Sequence, residues 1–153
     1  MNSIIKDLKL APLGEQKIAW AGEYMPLLAY LRKKYAEKKI FQGINIVVTI
    51  HLEAKTANLA LLLKDCGANV VVTGCDPAAF AALPGYFDAI VADVPCSGEG
   101  MFRKDPKAEE QWSPALVDLC AKRQRRILSD VFPALRQGGL LVYSTCTFAP
   151  CED

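Results

Sequence analysis

The chain has 153 residues, of which 52% are hydrophobic, and a formal net charge of +1. That is enough for one domain with a real core, and it offers no global charge that would draw the protein to nucleic acid or to an anionic surface. No apolar run approaches the roughly 20 residues that span a bilayer, and the start, MNSIIKDLKLAP, lacks the basic, apolar and small-residue segments of a secretory leader.

The first predicted helix covers Gly14 to Met25, with Ile18, Ala21, Gly22 and Met25 at helical spacing. Pro26 suits the first turn of a second helix, where its missing N–H has no partner to lose. Leu27, Leu28, Leu31 and Tyr35 make its apolar face. The lysines at its end (Lys33, Lys34, Lys38, Lys39) read as a solvated helix terminus rather than a nucleic-acid patch. Ile44 to Ile50 is the first strand. A Leu- and Ala-rich helix follows from Glu53 to Cys66, closed by Gly67. Asn69 to Thr73 is the second strand, and Pro77 to Leu83 a turn or two of helix.

Phe87 to Ala92 is an apolar run interrupted by one acid, the pattern of a strand buried on both faces. It runs into Asp93, Val94, Pro95 and Cys96. Met101 to Gln111 reads as a charged loop. Ser113-Pro114 then opens a long helix running toward Arg136, bent near Pro133 and stopped by Gly138-Gly139. Leu116, Cys120, Ile127, Leu128 and Val131 share one side of it, with Gln124 in the middle. That amide either bonds a group under the sheet edge or lies at the rim in water. Lys122, Arg125 and Arg126 face solvent. Leu140 to Tyr143 is the fourth strand, followed by Thr145, Cys146 and Thr147.

Strands alternating with helices predict an α/β, three-layer, Rossmann-like or flavodoxin-like doubly wound domain. The expected sheet is four-stranded and parallel in the order 2-1-3-4, with two extra helices at the N-terminus. Ligands of such sheets bind at the carboxyl edge beside the reversal of strand order, which places His51, Asp93 and Cys96 there. Two strands each deliver a cysteine to that edge. The six cysteines are scattered, no CxxC occurs and His51 is the lone histidine, so no metal site is expected. Free thiols suit a reducing, cytoplasmic setting.

Two resemblances rest on longer motifs. DVPCSGEGMFRKDP (93–106), KRQRRIL (122–128) and GGLLVYSTCTFAP (138–150) closely resemble the Sun-family cytosine-5 RNA methyltransferases. By position, that resemblance implies Cys146 as the nucleophile adding to C6 of cytosine, Cys96 assisting product release and Asp93 holding the base. The family has Ala where this chain has Val94, and an acidic pair at Cys151-Glu152. Residues 5–36 and 43–77, by contrast, resemble the N-terminal part of S-adenosylhomocysteine hydrolase. There the resemblance implies His51 and Thr56 as contacts to an adenosine sugar, although Glu53 and Lys55 depart from the pattern.

Neither resemblance is complete. The methyltransferase pattern needs a Gly-rich turn after the first strand and an acid after the second to hold its methyl donor. Here the turn reads HLEAKT. The expectation is therefore an engineered chimera of a hydrolase-like half (1–77) and a methyltransferase-like half (78–153), spliced between Gly74 and Phe80. It would be non-catalytic, with vestigial sites at Cys146, Cys96, Asp93, His51 and Thr56. No cofactor and no RNA or membrane partner is expected, though the exposed fourth strand invites a homodimer. The alternatives are an RNA cytosine-5 methyltransferase fragment, which alone would call for S-adenosylmethionine or S-adenosylhomocysteine, and a weak nucleoside-binding module.

Overall fold

The computed structural model describes residues 7–152. In order these form α1 (Ala11–Glu23), α2 (Pro26–Tyr35), β1 (Asn45–Thr49), α3 (Ala54–Asp65), β2 (Asn69–Val72), β3 (Phe87–Asp93), α4 (Pro106–Gln111), α5 (Pro114–Val131) and β4 (Leu135–Ser144). The strands make one parallel sheet in the order β2-β1-β3-β4, as the alternating pattern requires. By contacts the chain separates into two compact units. One is built from the residues up to Ile44 and from His51–Val70, the other from Asn45–Ile50 and the chain from Val71 onward.

The first unit holds α1, α2 and α3. Asn58 of α3 is buried and donates from Nδ2 to the Ile18 carbonyl of α1 at 2.8 Å. Arg32 of α2 meets Asp65 of α3 at 2.9 Å. Gly67 takes φ +102°, and α3 ends in paired bonds from Gly67 N to Lys64 O (2.9 Å) and from Ala68 N to Leu63 O (3.1 Å). That is the Schellman closure a glycine at this place permits. Leu28, Leu31 and Tyr35 are half-buried as the spacing predicts, but Leu27 is exposed.

The second unit has its core around β3. Val47, Phe80, Phe87, Ile90, Ala92, Val94, Val131 and Ala134 pack together, and Phe87 and Ile90 are almost wholly buried. Asp88, the acid that interrupts the apolar run, lies at the sheet rim. It accepts from the Asn45 backbone N–H at 2.7 Å and pairs with Arg136.

Two predicted elements are corrected. The stretch read as a loop from Met101 contains α4, opened by Asp105, whose carboxylate accepts from Lys107 N at 3.1 Å. A cap and a proline at N1 suffice to start six residues of helix. Gly138-Gly139 does not stop the long helix. The helix ends at Val131, Phe132–Ala134 form one tight 3₁₀ turn, and β4 has already begun at Leu135. Phe87 pairs with Leu135 but Ala89 with Leu140, so the residues between bulge out of the ladder. The glycines serve that bulge. Gly138 sits at φ +77°, and a Cβ on Gly139 would meet the Asp88 carbonyl oxygen at 2.9 Å.

Candidate functional site

β3 and β4 are adjacent and parallel, so their carboxyl ends emerge side by side. Asp93 pairs in register with Ser144, whose Oγ donates to Asp93 Oδ1 at 3.0 Å. The Val94 N–H bonds to the Ser144 carbonyl oxygen at 3.1 Å, which carries the alignment one step past the strands. From there the two chains turn, and the two cysteines meet. Cys96 Sγ and Cys146 Sγ are 3.3 Å apart, and the Cys146 backbone N–H points at Cys96 Sγ at 3.2 Å. The structure thus brings together Cys146, Cys96 and Asp93 at one edge.

Gly98, at φ +82°, reverses the chain after Cys96. The Gly100 N–H then donates to the Cys146 carbonyl oxygen at 2.7 Å, and any Cβ on Gly100 would sit 2.7 Å from that same oxygen. Only glycine allows so close a backbone approach here.

Below the thiols lies a polar cluster that the sequence reading did not assign. Ser97, Thr147, Gln124 and Glu152 are all buried. Gln124 Nε2 donates to the Pro95 carbonyl at 2.9 Å and to Glu152 Oε2 at 3.1 Å, so the buried alternative for that amide holds. Glu152 also accepts from the Ser97 backbone N–H at 2.9 Å, from Thr147 Oγ1 at 3.2 Å and, closely, from Ser97 Oγ. A hydroxyl residue directly after each cysteine, with an acid five residues past Thr147, was the signal that could have found this cluster.

Glu99 stands at its margin, with Ser97 Oγ 2.8 Å and Trp112 Nε1 2.9 Å from its carboxylate oxygens. Burial works to raise its pKa, but hydrogen bonds from Thr147, Ser97, its own backbone and Trp112 outweigh it, and the carboxyl is pulled down to about 2. Cys146 is shifted the other way. Burial first, then the hydrogen bond and charge of Cys96, then the Asp93 and Glu99 carboxylates push its thiol up to about 11. At neutral pH the pair therefore rests with Cys146 as a thiol.

His51 and Thr56 belong to the first unit. His51 is exposed, and Thr56 is buried with its Oγ1 donating to the His51 carbonyl oxygen at 2.8 Å. That bond closes the turn after β1 on itself. Among the described residues, no group of three or more His, Cys, Asp or Glu side chains is arranged to hold a metal ion. No helix is long and apolar enough to cross a membrane among them.

The comparisons with known proteins bear on this edge directly. The family model described as 16S rRNA methyltransferase RsmB/F matches residues 44–153. Ribosomal RNA small subunit methyltransferase F of Pectobacterium carotovorum subsp. carotovorum is 44% identical over 110 residues, which cover 71% of this chain and 23% of that protein. Its counterpart in Salmonella heidelberg is 56% identical over 93 residues, or 60% of this chain and 19% of that protein. The chain thus spans about a quarter of the length of the curated relatives it matches. The crystal structure of NSun6 from Pyrococcus horikoshii with SFG superposes with a TM-score of 0.61 at 25% identity, over 80% of this chain and 37% of that one.

These findings lend the chimera no support. The family match begins at residue 44 and runs unbroken across the expected junction between Gly74 and Phe80, so β1, α3 and β2 fall inside the methyltransferase likeness. A hydrolase-like half and an engineered origin have no support in them. The chain belongs to the 16S rRNA methyltransferase RsmB/F family.

Proposed function

We propose that this chain carries the base-attacking portion of an RNA cytosine-5 methyltransferase, with Cys146 as the nucleophile, Cys96 as its partner and Asp93 on the N3 side of the ring. The observation that carries this reading is the meeting of the two thiols at the carboxyl ends of β3 and β4, 3.3 Å apart. The match of residues 44–153 to a methyltransferase family supports it and favours it over the non-catalytic reading. Phe148, 78% exposed two positions past Cys146, offers a ring face on which a base can stack.

The chemistry follows from the residue types. A sulfur–carbon bond forms as Cys146 adds to C6, and the C5–C6 π pair moves through the ring toward N3. The thiol proton leaves sulfur and ends on the ring, with Cys96 and Asp93 as the groups able to relay it. Carbon 5 is then electron-rich and takes a proton from water. Loss of the original C5 proton to water and expulsion of Cys146, whose sulfur takes back the ring proton, restore the aromatic ring, and Cys96 is placed to assist that release.

S-Adenosylmethionine is the methyl donor this family implies, and the residues where it would bind do not fit it well. The turn after β1 has no glycine and is closed by the bond from Thr56 to the His51 carbonyl. The acid after β2 is Asp76, whose two oxygens are engaged by the Ala78 N–H at 3.0 Å and by Arg126 at 3.3 Å. No step is therefore derived through the donor.

The test needs no donor. Reversible addition at C6 exchanges the hydrogen on C5 with water, so RNA carrying tritium at cytosine C5 should release it on incubation with the folded chain. Release that vanishes in Cys146→Ser supports the assignment. Release that persists unchanged in that variant would remove Cys146 from the role.

A further inference from the structure

Glu152 is 2% exposed, and no lysine or arginine is among its hydrogen-bond partners in the described residues. A carboxylate taken out of water without a cation is costly unless several donors satisfy it. Glu152 has them, and their positions in the chain are the telling feature. Ser97, which directly follows Cys96, contributes its backbone N–H, and its hydroxyl, whose one proton is shared with Glu99 Oε2 at 2.8 Å, lies against Glu152 Oε1. Thr147, which directly follows Cys146, contributes its hydroxyl at 3.2 Å. Gln124 of α5 contributes its amide at 3.1 Å and ties the Pro95 carbonyl with the same nitrogen.

The main chain of Glu152 is held as well. Its N–H bonds to the Ala149 carbonyl at 2.9 Å, and its carbonyl accepts from the Tyr143 hydroxyl of β4 at 3.1 Å. One carboxylate is thus the common partner of two loops that arrive from different strands. Among the described residues, it makes no hydrogen bond to either sulfur.

We propose that Glu152 is a positioning residue: by bonding Ser97 and Thr147 together it sets the separation and aim of the Cys96 and Cys146 thiols. Several hydrogen bonds converging on one buried side chain are directional, which is what two turns need if their sulfurs are to be held in one arrangement. An apolar residue of similar size would fill the volume but leave the Ser97 N–H without an acceptor. The meaning for catalysis rests on the reading of Cys146 and Cys96 as the reactive pair. The geometry itself is measurable without RNA or donor, so the failure of either idea is visible apart from the other.

The experiment follows formation of the Cys96–Cys146 disulfide in the chain carrying Cys75→Ser and Cys151→Ser, which removes the other exposed thiols. The oxidant is an azodicarboxamide, which takes up two electrons and two protons as the two thiols join. Buried Cys66 and Cys120 remain as internal reporters of unfolding. Glu152→Ala should slow disulfide formation about tenfold or more, because loss of aim by an ångström is felt strongly in a bond-forming step. Cys66 and Cys120 should stay unreactive, and Glu152→Gln, which keeps an oxygen for the Ser97 N–H, should recover most of the rate.

A wild-type rate in Glu152→Ala overturns the proposal. So does a slowing that Glu152→Gln fails to relieve while Cys66 and Cys120 become reactive, since that is general loosening. Should Glu152→Ala not fold, Ser97→Ala and Thr147→Val decide: each should slow the reaction with the fold intact, and unchanged rates in both overturn the proposal.

Discussion

The sulfurs of Cys96 and Cys146 stand 3.3 Å apart although 50 positions separate them in the chain. The pairing of β3 with β4 makes this possible, and the bonds from Val94 to Ser144 and from Gly100 to Cys146 extend that pairing beyond the sheet. Each thiol then forms part of the other's environment.

The first consequence is in reactivity. With the Cys146 thiol raised to about 11, its alkylation by iodoacetamide should climb about tenfold per pH unit from neutrality toward that value. Cys96→Ala removes a hydrogen bond and a charge that both raise it, so Cys146 should react faster at pH near 8 in that variant. Peptide-resolved mass spectrometry reads this out, and an unchanged rate would remove Cys96 as a cause. Because the folded value lies above the reference of 9.0, the contribution to stability is whole below that pH and lost as pH rises from there to about 11.

Gly100→Ala probes the backbone approach. The added methyl would lie 2.7 Å from the Cys146 carbonyl oxygen, so the loop bearing Cys146 must move. Tritium release from cytosine C5 should fall by about tenfold or more, a larger effect than the change in melting temperature suggests. Release at the wild-type rate would show that the loop yields without disturbing the thiol.

Glu99 sets an acid limb. Its carboxyl lies near 2 against a reference of 4.5, so its contribution to stability is present above about 4.5 and is lost as pH falls toward 2. Trp112→Phe deletes one of the stabilising hydrogen bonds. In urea titrations over that window the variant should lose stability at a higher pH than the parent chain. Coincident acid limbs would show that the indole does not hold the carboxylate.

Gln124→Leu tests the buried amide. It leaves the Pro95 carbonyl without its Gln124 donor and Glu152 Oε2 with one bond fewer, at a cost of about 1–3 kcal/mol. The side-chain oxygen of Gln124 has no partner among the described residues, which places the expected value toward the lower end. A urea midpoint at or above that of the parent would mean that apolar packing outweighs both bonds.

Much of the fold is legible in the residues taken one segment at a time. Ser113 caps α5 through the Leu116 N–H at 3.1 Å, Gly67 closes α3, and the four apolar runs became four parallel strands in the expected order. The misreadings came from glycine and charge. Gly138-Gly139 after a long helix looks like a stop when only local conformation is weighed, yet it accommodates a bulge imposed by the neighbouring strand. The polar and charged stretch from Met101 to Gln111 looks like loop, yet Asp105 and Pro106 are a helix start.

The sequence by itself determined the cap that opens α5, the glycine that closes α3, where the strand runs lie and that two cysteines follow strands. Those properties depend on hydrogen bonds and periodicities reaching only a few residues along the chain. The tertiary structure alone decided that the two sulfurs meet, that Gly100 lies against the Cys146 carbonyl and that Glu152 is buried between the loops. Each of these joins segments about 50 residues apart, and only the register of β3 against β4 brings them within bonding distance.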